Sequence, residues 1–258
     1  MSLFFKEFGS GNAPTIVLLH GGGGAGWMWQ PQIEQLTDYH LLVPDLPEHG
    51  QSRALQPFTF VEAAAQVADL IKARAHGGRA HVVGLSLGAQ TIVQLLSQSP
   101  DVIDHAVISG ALVRPIPGIG LTRLMTQLYW PFKDAAWLIR ANMKSLGIPE
   151  QYFAEFAADT KALTLDSFVR VTTANALFRI PPNLDRASVP TLFLVGQREL
   201  KLMHDSLRDL LKAMPSAQGR VVANAIHNWS MQWPELFTQT VRAWITDREL
   251  PQAVVRGA

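Results

Sequence analysis

The chain has no cysteine. Disulfides, thiolate metal sites and a cysteine nucleophile are therefore excluded. Charge is sparse as well. Asp, Glu, Lys and Arg make up 17% of the residues, against about 25% in an average soluble domain. Such a deficit points to apolar surface, either in a substrate cleft or at a subunit interface. Neither sign dominates: the net charge is +1, and no basic block marks a nucleic-acid partner. No run approaches the roughly 18 apolar residues of a membrane span. The opening Met1-Ser2-Leu3-Phe4-Phe5-Lys6-Glu7-Phe8 does not read as a secretory signal, because its apolar stretch is short and broken by charge. The expectation is a cytoplasmic protein, monomeric or homodimeric, that acts on a small molecule without nucleic acid, membrane, metal or cofactor.

What is present is a rhythm of short apolar runs separated by amphipathic stretches. Thr15–Leu19, Tyr39–Pro44, His81–Val83, His105–Ile108, Thr191–Val195 and Gly219–Ala223 read as buried strands. Met28–Leu36, Val61–Ala75 and Lys201–Met214 carry apolar residues at helical spacing. The alternation predicts an α/β fold: a doubly wound, mostly parallel sheet with helices on both faces.

The rhythm breaks between about 113 and 187, where no strand-like run occurs and Trp, Phe, Tyr, Met and Leu abound. This stretch is too long for a bare loop. It reads as an inserted helical cap, which leaves 1–112 and 188–258 as the core. Leu121, Leu124, Met125 and Leu128 share one helical face; Phe168, Val171, Ala174 and Leu177 share another. The tail after Leu250 reads as frayed.

The most informative segment is Gly84-Leu85-Ser86-Leu87-Gly88, a G-x-S-x-G pentapeptide behind the apolar Ala80-His81-Val82-Val83 and ahead of a helical stretch that ends near Ser99-Pro100. A serine hydroxyl is a poor nucleophile unless it is held exposed beside a base, and a sharp strand-to-helix turn does this. Glycines flank such a turn because a Cβ there would strike the neighbouring backbone. The competing reading, a serine that merely caps a helix, leaves both glycines without a purpose.

A nucleophilic serine needs a base, a group to orient it, and donors for an oxyanion. The glycine run His20-Gly21-Gly22-Gly23-Gly24 follows the first buried strand. It suits peptide N–H groups that must approach a substrate oxygen. The expected donors are the N–H groups of Leu87 and Gly22. A phosphate loop is disfavoured, since no Lys-Ser/Thr pair follows. His20 reads as a turn brace, and so does His49. The base is expected after the last strand, where His227 stands in Ala225-Ile226-His227-Asn228-Trp229. Glu199, in Gly196-Gln197-Arg198-Glu199, is the carboxylate nearest the end of the fifth apolar run and can orient the base. Asp205 is the fallback, although it falls inside the next helix. Gly21, Trp27 and Trp229 are candidates for the substrate pocket.

Taken in order, Leu18-Leu19-His20-Gly21-Gly22, Val43-Pro44-Asp45-Leu46-Pro47-Glu48-His49-Gly50-Gln51-Ser52, Gly84-Leu85-Ser86-Leu87-Gly88, Phe193-Leu194-Val195-Gly196 and Ile226-His227-Asn228-Trp229 resemble the α/β-hydrolase superfamily. The resemblance implies a helical lid over about 113–187 and a Ser86–His227–acid triad. Two positions depart from the pattern. The acid is usually Asp, whereas this chain offers Glu199. The turn at Pro47–Gly50 usually has Gly where Glu48 stands, which implies a different backbone angle or a local contact there. The chemistry implied is cleavage of a carboxylic ester or related acyl bond through an acyl-enzyme. The alternatives are C–C bond hydrolysis, lyase or cofactor-free perhydrolase chemistry with the same residues, or a ligand-binding protein on a hydrolase scaffold.

Overall fold

The computed structural model describes residues 2–9, 12–116, 118 and 125–256. Eight strands form one sheet: β1 (Phe5–Phe8), β2 (Thr15–Leu19), β3 (His40–Pro44), β4 (Ala80–Leu85), β5 (Ile103–Ser109), β6 (Thr191–Gly196), β7 (Gln218–Val222) and β8 (Val254–Arg256). Their order is β1-β3-β2-β4-β5-β6-β7-β8. The inner pairs are parallel, while β1 with β3 and β7 with β8 are antiparallel.

The inner strands are apolar throughout because both of their faces are covered. In β2, Val17 and Leu19 enter one hydrophobic cluster, and Ile16 and Leu18 enter the other. The β6 strand divides in the same way, with Phe193 and Val195 against Leu192 and Leu194. This period of two is what a pleated strand between two helical layers requires. One layer contains α2 (Phe60–Arg74), α3 (Leu87–Gln98) and α7 (Lys201–Ala213), through Val67, Ile92 and Leu210. The opposite layer contains α1 (Gln30–Gln35) and α9 (Pro234–Ile245), through Ile33 and Val241. A single-turn helix, α8 (Trp229–Gln232), precedes α9. At the start of α2 the Thr59 hydroxyl accepts from the Glu62 N–H at 3.1 Å, satisfying a backbone donor that the helix itself leaves free.

Between β5 and β6 the described residues are mainly helical, as expected. Residues 125–129 are helical, and α4 (Ala136–Leu146), α5 (Phe153–Ala162) and α6 (Leu165–Leu177) follow. The two expected apolar faces fare differently. Leu121 and Leu124 lie outside the described residues. Met125 and Leu128 are exposed rather than packed. On α6, Phe168 and Val171 face a cavity, whereas Leu177 is exposed.

The tail differs from its expected frayed state. Val254–Arg256 pairs antiparallel with Val222, Val221 and Arg220. An edge strand of three residues is held by backbone hydrogen bonds with little apolar burial, so its sequence shows no hydrophobic run. No helix among the described residues is long and apolar enough to cross a membrane.

Candidate active site

β4 ends at Leu85, α3 begins at Leu87, and Ser86 occupies the turn between them with φ 55° and ψ −111°. A non-glycine residue there is strained, and the surroundings must enforce it. They do so from both sides. The Ser86 N–H donates to the Ser109 carbonyl at 2.9 Å, and the Gly88 N–H donates to the His20 carbonyl at 3.1 Å. A Cβ on Gly88 would stand 2.2 Å from the Leu19 carbonyl oxygen, and one on Gly84 would stand 2.7 Å from the Gly88 carbonyl. The two glycines are therefore a packing requirement of the turn.

The glycine loop after β2 lies against the same turn. A Cβ on Gly21 would be 3.6 Å from the Ser86 Cβ, and one on Gly22 would be 3.8 Å from the Leu87 Cβ. Among the described residues, the N–H groups of Gly22 and Leu87 donate to no protein acceptor. Asp45 pins the loop. One of its carboxylate oxygens accepts from Gly26 N–H and the other from Gln51 N–H, each at 2.8 Å.

His20 is fully buried beneath the loop. Its Nδ1 bonds the Gly21 carbonyl at 2.8 Å, and its Nε2 accepts from the Leu46 N–H at 2.9 Å. The ring is thus neutral and fully engaged. Burial pushes its pKa down to about 4. The neighbouring His49, with ring centroids 5.1 Å apart, is pushed down to about 4 by burial and by His20. Both behave as braces.

His227 follows β7, in the loop before α8. Its Nδ1 bonds Glu199 Oε2 at 2.5 Å. The second oxygen of Glu199 accepts from the Gly196 N–H at 2.8 Å. The Glu199 side chain is 2% exposed and that of His227 34%, so the acid is sealed behind the base. Gly110, with φ +67°, borders the imidazole; a Cβ there would lie 2.6 Å from its Cε1. Because Ser109 binds the Ser86 N–H, one dipeptide, Ser109–Gly110, separates the serine turn from the imidazole. Among the described residues, neither the Ser86 hydroxyl nor the His227 Nε2 bonds a protein group. Asp205 is elsewhere, paired with Arg114, Lys201 and Arg208.

A cavity of about 390 Å³ opens at Ser86, lined by Gly22, Leu87 and, from the helical segment, Leu146, Phe156, Phe168 and Val171. Two pocket candidates are placed differently. Trp229 is fully buried in the core, where its Nε1 donates to Ser109 Oγ at 2.9 Å. An indole with a polar partner inside the core has no reason to face the cleft. Trp27 is half-buried and joins the loop to the helical segment. It stacks on Tyr152, and its Nε1 donates to Asp159 at 2.7 Å.

Sequence reasoning missed a set of contacts between the helical segment and the core. Glu48, at φ 65°, has a fully buried side chain. It accepts from the Phe58 N–H at 2.8 Å, from Ser167 Oγ at 2.5 Å and from Arg170 Nε at 2.6 Å. Gln90 and Asn175 bond each other at 2.8 Å. The legible signal was the carboxylate at a position that usually holds glycine: the turn keeps the left-handed angle that glycine favours, and of the two expected departures it shows the local contact. No group of His, Cys, Asp and Glu among the described residues could hold a metal ion.

Known proteins share this architecture. An "AB hydrolase superfamily protein" of Gibberella zeae is 28% identical over 97% of this chain and 86% of its own length. A pimeloyl-[acyl-carrier protein] methyl ester esterase of Chromobacterium violaceum is 37% identical over 61% of this chain and 57% of its own length. The solved enol-lactonase of Burkholderia xenovorans LB400 superposes with a TM-score of 0.76 at 24% identity, covering 95% of this chain and 96% of the other. Its likeness speaks for the fold alone. The model of the alpha/beta hydrolase family matches residues 16–240, and the chain belongs to that family.

Proposed function

We propose that the protein is a serine hydrolase that cleaves a carboxylic ester through an acyl-enzyme. Ser86 is the nucleophile, His227 the general base, and Glu199 the acid that orients it. The Ser86 oxygen attacks the ester carbonyl as its proton passes to the Nε2 of His227. Glu199, bonded to Nδ1, fixes the tautomer and stabilises the imidazolium that forms. The oxygen that gains charge is met by the N–H groups of Leu87 and Gly22. Losing one such donor typically costs about 2.7–4 kcal/mol of transition-state stabilisation. The imidazolium then protonates the departing alcohol. Water, deprotonated by His227, releases the acid and restores Ser86.

The observation that carries this reading is the Glu199–His227 hydrogen bond of 2.5 Å, set one dipeptide away from a serine held at a strained angle. An acid sealed behind a partly exposed imidazole has a use in proton transfer and little use in packing. We also propose that residues 113–187 act as a cap, since α4, α5 and α6 supply most of the apolar wall over Ser86. That wall holds a short to medium apolar acyl group. The test is turnover of p-nitrophenyl butyrate by the parent and by Ser86→Ala. The variant should lose essentially all of it; a folded variant that keeps it would overturn the proposal.

A further inference from the structure

A second, smaller cavity of about 180 Å³ adjoins the first. Gly23, His49 and Leu163 line both, so the glycine loop divides them. Their walls differ in chemistry. The first is dominated by Leu146, Phe156, Phe168 and Val171; the second carries Arg53, Gln56, Asp159 and Thr164. The charges in the second cavity are unevenly matched. Glu48, also on its wall, is saturated by Phe58, Ser167 and Arg170. Asp159 is different: its Oδ2 accepts from Trp27 Nε1 at 2.7 Å, and among the described residues no protein donor reaches Oδ1. Arg53 spends its Nε on the Gly50 carbonyl at 2.7 Å and forms no ion pair with Asp159. Burial holds the Asp159 carboxyl above the usual carboxylate range, as expected of a carboxylate short of donors. A carboxylate oxygen left free in a cavity wall gains from a ligand that brings a donor.

We propose that this cavity receives the alcohol portion of the substrate, and that Asp159 selects small leaving groups bearing a hydrogen-bond donor, a protonated amine above all. The inference rests on the hydrolase reading and deepens it. The acyl group lies on the apolar side of the glycine loop and the alcohol on the polar side. When the C–O bond breaks, the alcohol oxygen takes its proton from His227, and the alcohol leaves past Asp159. A volume of about 180 Å³ admits a short amino alcohol.

The test compares two esters of equal shape, 2-(dimethylamino)ethyl hexanoate, protonated near pH 7, and its neutral isostere 3-methylbutyl hexanoate. Binding is measured by calorimetry near pH 7 on the Ser86→Ala protein, with and without Asp159→Asn. The asparagine keeps an acceptor for Trp27, so the cap contact persists. The cationic ester should bind about tenfold or more tightly than the neutral one, and Asp159→Asn should bring that ratio close to one. Equal or absent affinity for the cationic ester, or a preference that survives Asp159→Asn, overturns the proposal. Turnover of the neutral ester by the protein with Ser86 intact reports separately on the hydrolase reading, because binding to Ser86→Ala requires no chemistry.

Discussion

The Nε of Arg170, on α6, donates to the buried carboxylate of Glu48, in the loop after β3, at 2.6 Å. Glu48 holds φ 65° in its turn, a strain of order 1–3 kcal/mol for a non-glycine residue. Removing either partner therefore costs stability, but by different amounts. Arg170→Ala leaves a buried charge with one donor fewer and should cost about 2 kcal/mol. Glu48→Gly removes both the charge and the strain and should cost less. Urea unfolding of the two variants checks the order. A Glu48→Gly protein less stable than Arg170→Ala would show that the carboxylate contributes more than its strain removes.

Gly110 guards the imidazole. With φ +67° and a Cβ that would stand 2.6 Å from His227 Cε1, Gly110→Ala must displace the ring. A shift of about 1 Å in a reacting group costs on the order of 10²-fold in rate. The variant should remain folded by circular dichroism while kcat/KM for p-nitrophenyl butyrate falls by about that factor.

Glu199 and Asp205 were the two carboxylates that could orient the base, and their surroundings now separate them. Glu199→Gln keeps a partner for the imidazole but removes the charge that stabilises imidazolium, so kcat should drop on the order of 10³-fold with little change in KM. Asp205→Asn loosens the contacts to Arg114, Lys201 and Arg208 and should leave the rate alone. Steady-state kinetics on the pair decides which acid matters.

Acid should weaken the fold before carboxylates titrate. His20 and His49 are pushed from the ordinary 6.5 down to about 4. His81, whose buried Nδ1 lacks a partner, is pushed to about 4 as well, first by burial and then by His105. Between those values the unfolded chain binds more protons than the folded one, so stability rises with pH there. It is fully present above about 6.5, falls as pH drops toward 4, and loses nothing further from these groups below that. Over that whole window a fully buried ring contributes roughly 3 kcal/mol. Urea midpoints at pH 7.5, 5.5 and 4.5 test this. A flat profile would mean that these rings titrate in the fold as they do in the unfolded chain.

Much of this was legible because a few residue types have a single efficient use. Apolar runs such as Thr191–Val195 become strands covered on both faces. The Gly84–Gly88 pentapeptide forms the expected turn, and Glu199 meets His227 as its position after the fifth run required. The remainder was hidden for physical reasons. The β8 strand is held by backbone pairing, which leaves little mark on composition. Trp229 stands in the motif that supplies His227, yet its indole turns to Ser109, a hydroxyl that no pattern assigns to it. The contacts of Asp159 on α5 and of Ser167 and Arg170 on α6 join residues over a hundred positions from their partners. Such pairs depend on how helices dock, which helical spacing does not encode.

The most direct measurement is intact-mass analysis after treatment with a fluorophosphonate, followed by peptide mapping. The parent should gain one phosphonyl group, located on Ser86, within minutes. Ser86→Ala should gain none, and His227→Asn should react orders of magnitude more slowly. A parent that stays unlabelled, or a label on any other residue, would contradict the account.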